Sequence, residues 1–498
     1  MVTFVIILSK AFGFVRDIVT TAEFGLSMQN DAYVAAYSLF YVPVLLFNSC
    51  ISATMIPLYT EAREHRGLKR ANRFASNSIN IFAMAAILIS VIMCLLSEPI
   101  VRLVYHGFEP GKSGLTAELT RIMLFGLVFN VTSISLASLL NAGEEFIGAQ
   151  LTGFPLSLCV ILATYLFSPK YGIKALAWGV FIANALQMLI LIPFLKGWFR
   201  YSLVLNLKDK RVHRLMRLAV PALLSMGVSE LNHMIDHALA SVLQEGTMTA
   251  MSSAYRLITF LQGIMIVPLI TIMFSKMSRK VAQGDEPGAC RMLMRSMLEL
   301  ALVVLPVVAI GVVLSRDVIK FAYMRGHFKP EDVPRTAGIM SFYLIGLPAF
   351  GMRDFMNRLF HAMKDTRSPF YVSLAVVSVN IAGNLILRRL MGANGLALAT
   401  SIAGYTGSMI LIALLLKRFG DLGVRGIVVD LVKILLAVTV SAGACFILDG
   451  VLPQAHSTIQ TFGRLVVCAG VSFIIYGITC MLLKINTVKQ LLVTIRER

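Results

Sequence analysis

The chain has 498 residues, 57% of them hydrophobic and only 14% charged, with 45 basic against 26 acidic side chains and a formal charge of +19. Soluble globular domains carry about 25% charged residues, so this balance excludes a water-soluble enzyme of this size, and equally a disordered or fibrous chain. The basic excess falls in short clusters between apolar runs, a pattern of membrane orientation and not of nucleic-acid binding.

A bilayer core of about 30 Å takes about 20 apolar residues per helix. About fourteen runs qualify, near 2–24, 33–57, 76–97, 119–141, 147–168, 174–195, 215–242, 248–275, 296–315, 336–360, 369–389, 394–416, 427–449 and 460–483. The chain therefore reads as an all-α, polytopic membrane protein. The first run carries Lys10, Arg16 and Asp17 and has no A-x-A cleavage site, so it reads as a retained helix and not a signal peptide. The 7 cysteines are scattered without CxxC or zinc spacing, and most lie in apolar runs. They predict neither a disulfide framework nor a metal cluster.

Lysine and arginine set the orientation. With the N-terminus inside, the inner loops hold Arg63, Arg66, Lys69, Arg70 and Arg73, then Arg200, Lys208, Lys210, Arg211 and Arg214, then Lys276, Arg279, Lys280, Arg291 and Arg295. The outer stretches 25–32, 243–247 and 450–459 hold none, and the one exception is 316–335, with Arg316, Lys320, Arg325, Lys329 and Arg335. Both termini are expected in the cytoplasm.

A weak internal repeat runs through the first 425 residues. Gly126-Leu127 falls on Gly346-Leu347, and Gly172, Leu176 and Ala177 fall on Gly392, Leu396 and Ala397, all 220 positions on. Leu96-Ser97 and Tyr105 fall on Leu314-Ser315 and Tyr323, and Ala36-Tyr37 on Ala254-Tyr255, 218 positions on. Six helices separate the copies, so both have the same orientation, a parallel repeat about an axis along the membrane normal. The expected organisation is two six-helix lobes, 1–210 and 211–425, followed by a two-helix appendix, 426–498. Transporters built this way bind substrate between lobes and alternate access by rocking them.

A charge at the bilayer centre costs roughly 2.5–3.5 kcal/mol on insertion scales, so each deep charge asks for a reason. Lys10 and Asp17 share a helix face and suit a local ion pair, while Arg16 sits deep in the run. Asp31 opens the second run and suits a helix N-cap. The seventh run holds Glu230, Asn232, His233, Asp236 and His237. The His233/His237 spacing suits a metal, yet without HExxH order interhelical polar contacts are the better reading, and Asp236 stands out as the functional candidate. Arg256 is a deep cation without a local acidic partner. Asp354 and Arg358, four apart, suit a structural pair, and Asn380 and Asn384, which share a face, with Thr400 suit helix-packing contacts. Lys10, Arg16 and Arg256 come from corresponding early helices of the two copies, and a cavity lined by them would attract an anion, phosphate above all. With no Walker loop and no catalytic triad, the chain reads as an ion- or potential-driven carrier and not as an enzyme.

Ser9-Lys10-Ala11-Phe12-Gly13-Phe14-Val15-Arg16-Asp17, Phe24-Gly25 and Asp31-Ala32-Tyr33 resemble the first two helices of the MurJ (MviN) family, the bacterial lipid II flippases of the multidrug/oligosaccharidyl-lipid/polysaccharide exporter superfamily. Asn232 to Ser241, Ala254-Tyr255-Arg256-Leu257, Arg325-Gly326-His327-Phe328 and His361 to Thr366 followed by Pro369 resemble further segments of that family. The resemblance covers about residues 5–425. It implies transport of undecaprenyl-pyrophosphate-linked disaccharide-pentapeptide, lipid II, from the inner to the outer leaflet of the bacterial cell membrane. It further implies that Lys10, Arg16, Asp31 and Arg256 are substrate-binding, with Lys10 replacing a commoner Arg. A sodium site is implied at Asp236, Asn380, Asn384 and Thr400, with the Leu396 carbonyl and with Asn384 replacing an Asp. Two positions depart from the family pattern, with neutral residues near Val44 and at Thr259 where charged ones occur. The rival readings are a flippase for another polyprenyl-linked glycan, a small-molecule antiporter of the same superfamily, and a membrane scaffold whose deep cations are structural. Lipid II and membrane lipids are the expected partners, with no nucleic acid and no cofactor beyond the coupling ion.

Overall fold

The first helix, α1 (Val2–Phe24), ends at Gly25, and α2 (Met28–Arg66) begins once Ser27, in extended conformation, accepts the Asn30 amide on its hydroxyl. In the computed structural model, which describes residues 2–206, 208, 214, 232–455 and 457–485, every described regular element is a helix. Gly67, at φ 75°, closes α2 and opens α3 (Leu68–Leu95). A short amphipathic helix, α4 (Ser97–Val104), precedes α5 (Pro110–Leu124) and α6 (Leu127–Ala142). These last two form one run bent by 43° at Phe125-Gly126. A Cβ at Gly126 would lie 2.8 Å from the Asn184 amide nitrogen, so the bend packs closely against α9. α7 (Phe146–Gln150), α8 (Gly153–Tyr171) and α9 (Lys174–Leu195) follow.

The described chain resumes with α10 (232–240). α11 (Thr247–Leu261) passes through a π-helical turn, Gln262–Ile266, into α12 (Val267–Ala282), where Pro268 has no amide to continue the ladder. Then come α13 (Glu286–Val313), α14 (Ser315–Tyr323), α15 (Asp332–Ala362), α16 (Arg367–Met391), α17 (Ala393–Phe419), α18 (Val424–Val451) and α19 (Thr458–Leu482). Among the described residues ten helices are long and apolar enough to cross a membrane, eleven counting the bent α5–α6 pair as one. α1 and α15 are of comparable length and carry charges. Most of the run expected at 215–242, with Glu230, lies outside the described residues, as do Lys210 and Arg211.

The chain divides into two compact units, Met1–Thr249 with Gly326–Phe328, and Ala250–Arg325 with Lys329–Arg498. In the first, Phe40, Phe47, Ile51 and Tyr59 of α2 pack with Phe74 and Phe82 of α3 and Leu127 and Leu140 of α6. In the second, Leu298 and Leu302 of α13 pack with Ile434 of α18 and Tyr476 of α19, whose hydroxyl donates to the Leu302 carbonyl at 2.9 Å. Arg464 of α19 pairs with Asp317 of α14 at 2.9 Å and with Asp449 of α18 at 2.5 Å, fixing this hairpin by a fork of two carboxylates.

The internal repeat recurs as geometry inside each unit. Leu96 and Leu314 turn the chain into α4 and α14 with φ, ψ of −94°, 10° and −91°, 14°. The Tyr105 hydroxyl donates to the Ala35 carbonyl at 3.2 Å, and the Tyr323 hydroxyl donates to the Ser253 carbonyl at 3.1 Å. Glu144 and Lys364, 220 positions apart, share φ near +60°, an uncommon conformation for residues with a Cβ. The basic exception at 316–335 also has a local cause. Arg325 donates to the Phe321 carbonyl at the end of α14, and Lys320 to the Ala455 carbonyl, so these cations cap backbone oxygens.

Candidate functional site

On α1, Arg16 is buried, 7% exposed, and directs Nε and Nη2 at Asp17 Oδ1, at 3.2 and 2.9 Å. A bare guanidinium here would be costly, and its chain neighbour meets much of that cost. The ion pair expected between Lys10 and Asp17 is thus one that Arg16 makes with Asp17, while Lys10 is exposed two turns earlier. On α2, Tyr33, Tyr37 and Tyr41 form a ladder of rings, the last two stacked at 5.8 Å.

Asp31 is 1% exposed, and both its oxygens are in use. Oδ2 accepts Lys112 Nζ of α5 at 2.8 Å and the Gly246 amide at 2.8 Å. Oδ1 accepts the Thr249 amide at 2.9 Å and its hydroxyl at 2.8 Å. Gly246 and Thr249 stand at the start of α11, where helix amides have no partner within the helix and the dipole is positive. The expectation that Asp31 caps α2 is therefore corrected. Ser27 caps α2, and Asp31 caps α11 across a sequence gap of more than two hundred residues. The exchange is reciprocal, since Glu245 Oε1 accepts the Met28 amide at the start of α2, at 2.5 Å.

Backbone packs against backbone around this latch. Gly326 (φ +57°) lies where a Cβ would fall 2.2 Å from the Ala22 carbonyl oxygen, and Gly25 (φ +58°) where one would fall 2.4 Å from the His327 oxygen. The His327 amide donates to Ala22 O at 2.7 Å. Only glycine combines this dihedral angle with this proximity. Sequence reasoning found Asp31 but missed Lys112, Gly246 and Thr249. The one signal available was the glycines that break otherwise continuous apolar runs.

The other expected residues fall in two groups. Asp236, on α10, is buried, and next to it the His237 imidazole Nδ1 lies 2.9 Å from the Ser38 hydroxyl. In the second unit the structure brings Asn380, Asn384 and Thr400 together. Asn384 Nδ2 donates to Asn380 Oδ1 at 2.8 Å, Asn380 Nδ2 to Thr400 Oγ1 at 3.2 Å, and Thr400 Oγ1 to the Leu396 carbonyl at 3.1 Å. Arg256 is exposed on α11, and Arg358 pairs with Asp354 at 3.5 Å, as the spacing predicts. Outside the spans, Asp285 caps α13. The Lys280 ammonium at 2.9 Å, with the Gly288 amide at 2.8 Å, holds its carboxyl below the usual carboxylate range.

Residues 20–467 match the family model described as lipid II flippase MurJ. The chain belongs to the lipid II flippase MurJ family. Relatives described as "Probable lipid II flippase MurJ" include one from Rhizobium tropici, 27% identical over 82% of this chain and 79% of its own. Another, from Thermotoga maritima, is 26% identical over 97% and 96%. A solved structure described as lipid II flippase MurJ in an inward closed conformation superposes with a TM-score of 0.82 at 24% identity, over 96% of this chain and 98% of that one. An inward-facing MATE family transporter of the MOP superfamily superposes at 0.71, with 14% identity, over 83% and 95%. These two likenesses establish the fold. The family match agrees with the reading drawn from the Ser9–Asp17 and Asn232–Ser241 motifs.

Proposed function

We propose that the chain is a lipid II flippase, a transporter and not an enzyme, moving the undecaprenyl-pyrophosphate-linked peptidoglycan precursor from the inner to the outer leaflet of the bacterial cell membrane. The observation that carries this is the family match over residues 20–467. The relatives named above are described as lipid II flippases, which favours this substrate over another polyprenyl-linked glycan or a small-molecule antiport.

The pyrophosphate must cross a medium where bare charge is costly. Lys10, Arg16 and Arg256 supply the counter-charge in this proposal. Arg16 comes with its own carboxylate and keeps further N–H groups for the phosphate, so it is never stranded without an anionic partner. Guanidinium forks hold phosphate oxygens bidentately, where an ammonium acts as a point charge. Asp31 is the orienting partner, acting through the start of α11. Two lobes, 1–210 and 211–425, with the helices of 426–498 appended and both termini in the cytoplasm, rock to alternate access. A sodium ion, if it couples transport, takes Asp236, Asn380, Asn384 and Thr400 as oxygen ligands.

The test is complementation of a flippase-depleted strain, read with a leaflet-accessibility assay for lipid II. Parent protein restores accessibility in the outer leaflet, and Arg16→Ala and Arg256→Ala, inserted at matched abundance, do not. Wild-type flipping by both alanine variants sinks the pyrophosphate assignment. Failure of the parent to complement sinks the function.

A further inference from the structure

The first unit contains an open cavity of about 270 Å³ lined by α2, α6, the α7–α8 break and α9, and apart from the Arg16 and Asp31 contacts. Its polar lining includes Asn48, Asn130, Ser138, Asn141 and Gln187, beside the aromatic ring of Tyr41. Lining positions 41, 45, 48 and 52 repeat at helical spacing down one face of α2, and 130, 134, 137 and 141 do so down one face of α6. Two membrane-length runs thus turn a neutral, hydrogen-bonding face to one space, an arrangement that hydrocarbon would penalise and a polar guest would repay. None of its lining residues carries a charge at neutral pH.

The wall is held in place before any guest arrives. Asn130 Nδ2 is shared between Asn184 Oδ1 at 2.8 Å and Gln187 Oε1 at 3.3 Å, and Gln187 Nε2 donates to the Thr152 carbonyl at 2.9 Å. Asn130 Oδ1 is buried and has no hydrogen-bond partner among the described residues. Asn184 Nδ2 beside it is likewise buried without a partner, so this part of the wall holds hydrogen-bonding capacity that its own neighbours leave unused.

We propose that this cavity is a subsite for one N-acetylated sugar of the transported headgroup, a proposal that rests on the lipid II reading. Amide side chains both donate and accept, as hydroxyl and acetamido groups do. The lining offers no counter-charge to a pyrophosphate or to the carboxylates and amines of a peptide. The volume lies just below the roughly 300–1,000 Å³ of sites that take drug-sized ligands, which suits one sugar ring and excludes the whole disaccharide-pentapeptide. Tyr41, stacked on Tyr37, supplies a flat apolar wall beside the polar ones.

The experiment measures binding of lipid II and of undecaprenyl pyrophosphate, which lacks the sugars, to full-length protein in lipid nanodiscs. Asn48→Leu, at an exposed position that the fold tolerates, and Asn130→Leu are compared with the parent. Each variant is expected to weaken lipid II binding about tenfold, the loss of a hydrogen bond or two, and to leave undecaprenyl pyrophosphate binding unchanged. Parent-like lipid II binding by Asn48→Leu overturns the subsite, and so does an equal loss for both ligands. Equal affinity of the parent for both ligands also overturns it while leaving the flippase reading intact. A parent that binds neither ligand removes the lipid II reading itself.

Discussion

Replacing Asp31 with alanine tests the latch at the start of α11. The substitution removes the acceptor of four hydrogen bonds and leaves the Lys112 ammonium, whose side chain is 12% exposed, without its carboxylate. Breaking a buried ion pair by removing one partner costs about 3–5 kcal/mol, and the two helix amides lose their cap as well. At about 1.4 kcal/mol per factor of ten, opening of the segment around Gly246 and Thr249 becomes roughly a hundred- to a few-thousandfold more frequent. Hydrogen exchange read by mass spectrometry on peptides covering 22–31 and 244–250 measures that opening directly. Asp31→Asn keeps one acceptor and loses the charge, so it falls between parent and alanine. Lys112→Ala in the Asp31→Ala background should add little, because the two groups share one interaction. Unchanged protection at 244–250 in Asp31→Ala would show that the carboxylate does not hold α11 and would refute this reasoning.

Three further outcomes are expected. Tyr105→Phe and Tyr323→Phe each remove a hydroxyl that donates to a carbonyl seventy residues earlier, so each should cost at least about 0.5–1.5 kcal/mol in unfolding free energy, as thermal unfolding in detergent would show. Arg464→Ala leaves Asp317 and Asp449 facing each other without their shared cation, so limited proteolysis should cut the loop 452–457 faster, with parent-like rates counting against the fork as an anchor. Asp285 has a folded-state pKa below its unfolded one, so its contribution to α13 is complete above the ordinary aspartate pKa and is lost as pH falls through the lowered value. Asp285→Ala should therefore lower the unfolding temperature at neutral pH and converge with the parent in strong acid, as thermal scans across that range would show.

The spans were legible because a membrane-crossing helix needs a long apolar run, and that requirement acts on composition locally. α18 and α19 fall within a few residues of the runs at 427–449 and 460–483. α4 and α14 were not legible as helices. At 8 and 9 residues they are too short to show a period against their charged flanks, and what defines them is burial of Tyr105 and Tyr323 against chain seventy residues earlier. Arg464 shows the same limit from the other side. Its partners lie 15 and 147 positions back, so no spacing rule could have joined them. The Asp354–Arg358 pair, four residues apart on one helix, was readable for the opposite reason.

The deep charges divide by how their neutralisation is encoded, and this bears on which can serve an anionic substrate. Asp31 is satisfied by donors from two separate stretches of chain, Lys112 on α5 and Gly246 with Thr249 at the start of α11, so an anion arriving there would have to displace an entire cap. Arg16 is satisfied by a single carboxylate on the adjacent residue, through two of its five N–H groups. One partner on the same helix travels with Arg16 in every conformation that keeps α1 intact, so the pair has no need of the latch. A guanidinium held this way stays charged and oriented while leaving other N–H groups for phosphate oxygens. Lys10 and Arg256 are exposed in their own units. The chemistry proposed for the pyrophosphate falls on Arg16, Arg256 and Lys10, while Asp31 holds Gly246 and Thr249 at the start of α11.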